Sequence, residues 1–120
     1  MSLTGGNMGA RIIYKIVHEA EWRAAEALGR FEGSAVDLKD GFIHFSTATQ
    51  AAETAAKHFA GANDLLLVAV DAAALDVKWE VSRGGALFPH LYDVLPLSAV
   101  RSVESLPLCS SGEHRFPPME

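Results

Sequence analysis

Gly41-Phe42-Ile43-His44-Phe45-Ser46-Thr47 is the stretch on which the reading of the fold turns. Phe42, Ile43 and Phe45 are all apolar, so the run reads as a largely buried strand, and it ends where a helix should begin. Thr47, with Gln50 three residues later, has the form of a capping box. A buried polar side chain must find a partner or bind something, which makes His44, and with it Ser46, the residues to explain.

Upstream, Ile12-Ile13-Tyr14-Lys15-Ile16-Val17 is β-branched and aromatic and reads as the opening strand. From Glu19 to Leu28 the composition changes to Ala, Glu and Arg, and Gly29 supplies a left-handed terminator. The spacing of Trp22, Ala25 and Leu28 predicts a helix with Trp22 and Leu28 facing the core. Gly33 to Asp40 is expected as a loop in which Asp37 and Asp40 are turn acids. Downstream, a second helix runs from the Thr47 cap to about Ala60, closed by Gly61. Leu65 to Val70 is the most apolar strand, and Val77 to Val81 alternates apolar and charged, so one is expected to be central and the other nearer an edge. A Gly84-Gly85 loop, the segment Phe88-Pro89-His90-Leu91-Tyr92, a Leu95-Pro96 turn and a strand near Val100 to Leu106 complete the folded part. The connections do not alternate regularly between strand and helix, so the fold class is α+β.

At 120 residues and 49% hydrophobic content the chain has room for one domain with a real core and not for two. That domain is expected over residues 11–108, with residues 1–10 and 109–120 as flexible tails. A net charge of -5, with ten Lys and Arg scattered along the chain, leaves no basic stripe and argues against duplex nucleic acid as a partner. Cys109 is the single cysteine, so neither an intrachain disulfide nor a thiolate cluster can form. Together with the lack of a leader-like N-terminus or a bilayer-length apolar run, this predicts a soluble, cytoplasmic protein without a membrane partner.

Phosphate-loop, nucleophile-elbow, His-Glu-x-x-His and Cys-x-x-Cys patterns are all absent. Of five histidines only His44 and His90 stand in apolar surroundings. Without a carboxylate pattern beside them, no metal site and no required cofactor are expected. His18, His58 and His114 read as solvated, and Trp22 and Trp79 as packing. His44 serves equally well as a satisfied structural residue or as a ligand contact. Arg83, His90 and Tyr92 gather in and after the Gly84-Gly85 loop, a place where scaffolds often carry function.

The strings Ile13-Tyr14-Lys15-Ile16, Glu21-Trp22, the His44 stretch, Trp79-Glu80 and Phe88-Pro89-His90-Leu91-Tyr92 with Leu95-Pro96 together resemble the uncharacterised domain-of-unknown-function 952 family over nearly the whole folded region. The resemblance implies an ADP-ribosyltransferase-like fold: a compact α+β domain of two packed, mainly antiparallel sheets with two helices around a nicotinamide-dinucleotide cleft. It puts Tyr14 and Lys15 on the first strand, His44 and Ser46 on the second and His90 near the third. Lys15 then stands where a His or Arg is expected, and no Glu occupies the third-strand position, Glu80 being the substitute from a neighbouring strand. The implied ligand is NAD or ADP-ribose and the implied activity a transferase or glycohydrolase. His44 and His90 would move protons, Lys15 and Arg83 would hold phosphate, and Ser46 and Tyr92 would complete the substrate contacts. The alternative is a non-catalytic nucleotide-sensing or protein-binding module with a degenerate cleft and a partner that the sequence does not identify.

Overall fold

The computed structural model describes residues 11–82 and 84–119. The chain runs β1 (Ile12–His18), α1 (Glu19–Leu28), β2 (Arg30–Phe31), α2 (Ala35–Asp40), β3 (Ile43–His44), α3 (Ala48–His58), β4 (Leu65–Asp71), β5 (Val77–Ser82), β6 (Ala86–Leu91), β7 (Leu95–Pro96) and β8 (Val100–Ser105). Every strand pairing is antiparallel, in sheets ordered β1-β4-β8, β2-β7 and β3-β6-β5. β4 is central and buried on both faces, which is why its sequence is an unbroken apolar run. β5 lies at an edge, as expected, but its exposure alternates only over Val77 to Trp79: Glu80 is half-buried and Val81, expected on the covered face, is 69% exposed.

The two three-stranded sheets are joined by the chain that follows β3. Phe45 N–H donates to the Pro89 carbonyl at 3.0 Å, and one residue later Ser46 exchanges backbone hydrogen bonds of 2.8 Å with Tyr14 on β1. Residues 43–46 therefore leave one sheet and enter the other. The period-two alternation of β1 places Ile13 and Val17 in the main core with Trp22, Phe31, Val68 and Leu95, and places Tyr14 and Ile16 on the opposite face with Leu67 and Leu106. Lys15 falls on the Ile13 and Val17 face and is buried there. The C-terminal segment crosses the second face, where Phe116 and Met119 pack. Among the described residues no helix is long and apolar enough to cross a membrane.

Three features differ from the sequence reading. The described residues form three α-helices rather than two, because Ser34 and Asp37 form a capping box that starts α2 within the expected loop. They also form three sheets, since Arg30 and Phe31 pair with Leu95 and Pro96 as a separate two-stranded ladder. Leu28 is 52% exposed while Trp22 is fully buried. Six residues beyond Trp22 on an α-helix is a rotation of about 240°, so Leu28 cannot share its face, whereas Ala25 does. Two smaller departures are that α3 ends at His58, capped by Phe59 rather than Gly61, and that His114 is half-buried with Nε2 2.9 Å from the Ala62 carbonyl.

The burial contrast on α1 is directly measurable by urea unfolding. Trp22→Ala is expected to lower stability by about 3–5 kcal/mol, and Leu28→Ala by no more than about 0.5 kcal/mol. Comparable losses in the two variants would contradict this packing.

Candidate functional site

Asp37 organises the inner half of the site. As the third residue of α2 its carboxylate accepts the Ser34 backbone N–H at 2.9 Å, closing the helix cap. The same carboxylate binds Lys15 Nζ at 2.8 Å, accepts the His44 backbone N–H at 3.2 Å and lies 2.7 Å from His44 Nδ1. It is 2% exposed. Burial pushes its pKa up, but the His44 hydrogen bond, the Lys15 charge and the Ser34 N–H together outweigh that and hold it well below the ordinary carboxylate range. The other His44 nitrogen, Nε2, is 3.0 Å from Asp40 Oδ2. Both contacts are hydrogen bonds at once only when each ring nitrogen carries a proton.

The antiparallel β3-β6 pairing sets His44 directly opposite His90. Opposed residues point to the same face, and the two rings lie 5.5 Å apart, edge to face at 71°. Glu80 on β5 holds His90 as Asp37 holds His44: its Oε1 is 2.7 Å from His90 Nδ1 and accepts the Tyr92 hydroxyl at 2.7 Å. The hydrogen bond from His90, followed by that from Tyr92, lowers the Glu80 pKa. The bond to Glu80 raises that of Tyr92. With Nδ1–H donated to the carboxylate, Nε2 is the nitrogen that carries the lone pair when the His90 ring is neutral. That nitrogen is buried and has no hydrogen-bond partner among the described residues. The Phe42 ring stacks on His90 at 4.2 Å and also touches His44 and Tyr92, at 4.5 and 5.1 Å.

Beside His44 opens a cleft of about 480 Å³ between β1, α2, the strand around His44 and α3. Lys15, His44 and Ser46 line it, together with Tyr14, Asp40 and Thr54. Ser46 and Thr54 hydroxyls pair at 2.9 Å, in a buried position below the helix that Thr47 caps. His90 lies one strand behind His44, under Phe42, and is not on the cleft wall; Tyr92 is half-exposed on the same sheet face. Arg83 lies outside the described residues, and its neighbour Ser82 lines the cleft. The structure thus brings the two histidines together and ties Lys15 to a buried carboxylate. Asp37 is not a turn acid, because a charge that accepts from two backbone amides and two side chains is an internal anchor. The Ser34-x-x-Asp37 spacing was the signal for it, and the four-residue step from Asp40 to His44 was the signal for the second acid.

The family described as "Protein of unknown function (DUF952)" matches residues 16–103. A crystal structure of protein CC0527 from Caulobacter crescentus is 57% identical to this chain and superposes with a TM-score of 0.83, covering 87% of this chain and 93% of that one. The solution NMR structure of CC0527 gives 59% identity and a TM-score of 0.78, covering 85% of this chain and 90% of that one. No curated protein shows a significant match.

Because the Asp37 carboxyl titrates lower in the folded chain than in the unfolded one, its contribution to stability is complete above the unfolded value, about pH 4, and is lost as pH falls toward the folded value. Asp37→Asn is expected to be less stable at pH 7 by about 3–5 kcal/mol, since it leaves Lys15 buried without its counter-charge. The gap to the parent chain should then close by up to about 1.4 kcal/mol per pH unit below pH 4. Urea unfolding of both proteins between pH 2 and 7 checks this, and a gap that stays constant across that range would contradict it.

Proposed function

We propose that this chain, which belongs to the DUF952 family and carries two carboxylate-held imidazoles, His44 on the wall of a cleft and His90 one strand behind it, is an enzyme acting on a nucleotide or phosphorylated ribose of the NAD or ADP-ribose type. The observation that carries the reading is the His90 Nε2 atom: its ring is fixed by Glu80 through Nδ1, and the nitrogen itself is buried and unpartnered. A carboxylate that fixes the tautomer and leaves a lone pair on the far nitrogen is how a histidine is prepared as a general base. A lone pair at that nitrogen accepts from whatever donor reaches it, a water or a substrate hydroxyl.

In the reaction we assign, His90 Nε2 takes the proton of an attacking water or acceptor hydroxyl. The ribose C–N bond breaks as the new C–O bond forms, and nicotinamide leaves with the bonding pair as a neutral molecule. His44 donates a hydrogen bond to an anionic or ribose oxygen of the substrate. Ser46 orients a ribose hydroxyl, Arg83 meets phosphate, and Tyr92 acts through Glu80. Lys15 also serves indirectly, since its charge goes to Asp37, which positions His44. An ADP-ribosyltransferase-like ancestry would be in keeping with the antiparallel sheets, with Glu80 on β5 as the acid that holds His90.

Phe42 favours a second reading, because it covers His90 and would have to turn aside for turnover. On that reading the cleft senses a nucleotide, or contacts a protein, without chemistry.

The two readings part on product formation. Titration of isotope-labelled protein with NAD, ADP-ribose and inorganic phosphate is expected to shift the His44 and His90 ring signals together and saturably for the nucleotides, with phosphate reaching His44 at most and leaving His90 unmoved, and with nicotinamide released from NAD. His90→Ala should retain the fold and lower turnover by about 100- to 10,000-fold. Saturable binding without nicotinamide release would favour the sensing module, and undiminished turnover in both His44→Ala and His90→Ala would remove the assigned roles.

A further inference from the structure

We propose that the Asp40 carboxylate occupies, in the ligand-free protein, the position of an anionic group of the ligand, and that the ligand displaces it from His44. The inference rests on the proposed nucleotide reading for the identity of that anion, a phosphate or pyrophosphate group.

The two acids that hold His44 are unlike. Asp37 is buried, accepts hydrogen bonds from Ser34, Lys15 and His44, and fixes the ring through Nδ1 at 2.7 Å. Asp40 is 40% exposed, and His44 Nε2, at 3.0 Å, is its one hydrogen-bonding or ionic partner among the described residues. It is the last residue of α2, followed by Gly41 in the left-handed conformation at φ 89°, so its backbone sits at the end of a short helix. An ion pair with that much exposure is readily exchanged, whereas the inner one is not.

Asp40 and His44 both line the cleft, and Lys15 is the only Lys or Arg among the described lining residues. Its ammonium is already bound to Asp37. Hydroxyls and the imidazoles of His18 and His58 also line the cleft, but His44 Nε2 is the ring nitrogen that already faces a carboxylate there, and its direction is fixed from behind, so an entering anion finds at His44 a donor set for negative charge. As long as Asp40 stays there, a second anion is opposed by like charge and finds His44 Nε2 already occupied. Exchange removes both obstacles, and it gives the cleft a preference for ligands carrying phosphate over neutral nucleosides.

Calorimetric titration of the full chain with sodium pyrophosphate, ADP-ribose and adenosine tests the exchange in the parent protein, Asp40→Asn, Asp40→Ala and the Asp40→Ala/His44→Gln double variant. Both single variants are expected to bind pyrophosphate and ADP-ribose about tenfold more tightly than the parent, with adenosine unaffected and the gain absent in the double variant. If ADP-ribose binds the parent and the Asp40 variants equally, the exchange is overturned while the nucleotide reading stands. If pyrophosphate binding tightens but ADP-ribose binds none of the proteins, the exchange stands and the nucleotide reading falls. Binding of neither anion to any variant overturns both. Loss of the folded circular dichroism spectrum in both single variants would make Asp40 a structural anchor and overturn the exchange.

Discussion

One buried carboxylate ties together parts of the chain that are otherwise far apart. Asp37 caps its own helix through Ser34, neutralises Lys15 on the core face of β1 and fixes the backbone and ring of His44. Its position follows from strand alternation, because a lysine at Lys15 must point to the same face as Ile13 and Val17. A buried ammonium needs a counter-charge, and α2 exists to deliver one. The helix is only six residues long, and its place is held by these contacts far more than by its own hydrogen bonds.

The same anchor sets the outer chemistry. A ring held through Nδ1 has its Nε2 direction determined, and the antiparallel pairing of β3 with β6 then sets where His90 must stand. Glu80 repeats the arrangement on the far side, so a buried acid and a half-exposed one flank the imidazole pair. The two rings nevertheless differ in their free nitrogens. His44 is bound at both ends, and His90 at one. Two imidazoles in adjacent, opposed positions thus differ in what they present to a ligand: the outer nitrogen of one already faces a carboxylate, and that of the other faces none among the described residues.

The local rules read much of this chain correctly. β4 announces itself by seven successive buried residues, and the Thr47 to Gln50 capping box lies where its spacing says. The resemblance drawn from strings between Ile13 and Pro96 agrees with a family match over residues 16–103. The helix α2 was hidden because six residues give periodicity almost nothing to count, and its capping signature uses Asp in place of the commoner Glu or Gln. The Lys15 to Asp37 pair spans 22 residues and the Glu80 to His90 pair spans ten, with no local pattern that selects one acid over another as partner. Leu28 failed for a simpler reason, since matching Ala25 and Trp22 in steps of three drifts off the buried face by the third residue. Long-range charge pairing was the part that needed coordinates.

The most direct measurement of the central claim is the nitrogen spectrum of the histidine rings at neutral pH, with and without ADP-ribose. The account predicts that His90 carries its proton on Nδ1, toward Glu80, with a bare Nε2 whose signal moves when ADP-ribose binds. A His90 ring protonated on Nε2 with Nδ1 bare, or one whose Nε2 signal is indifferent to saturating ADP-ribose, would contradict it.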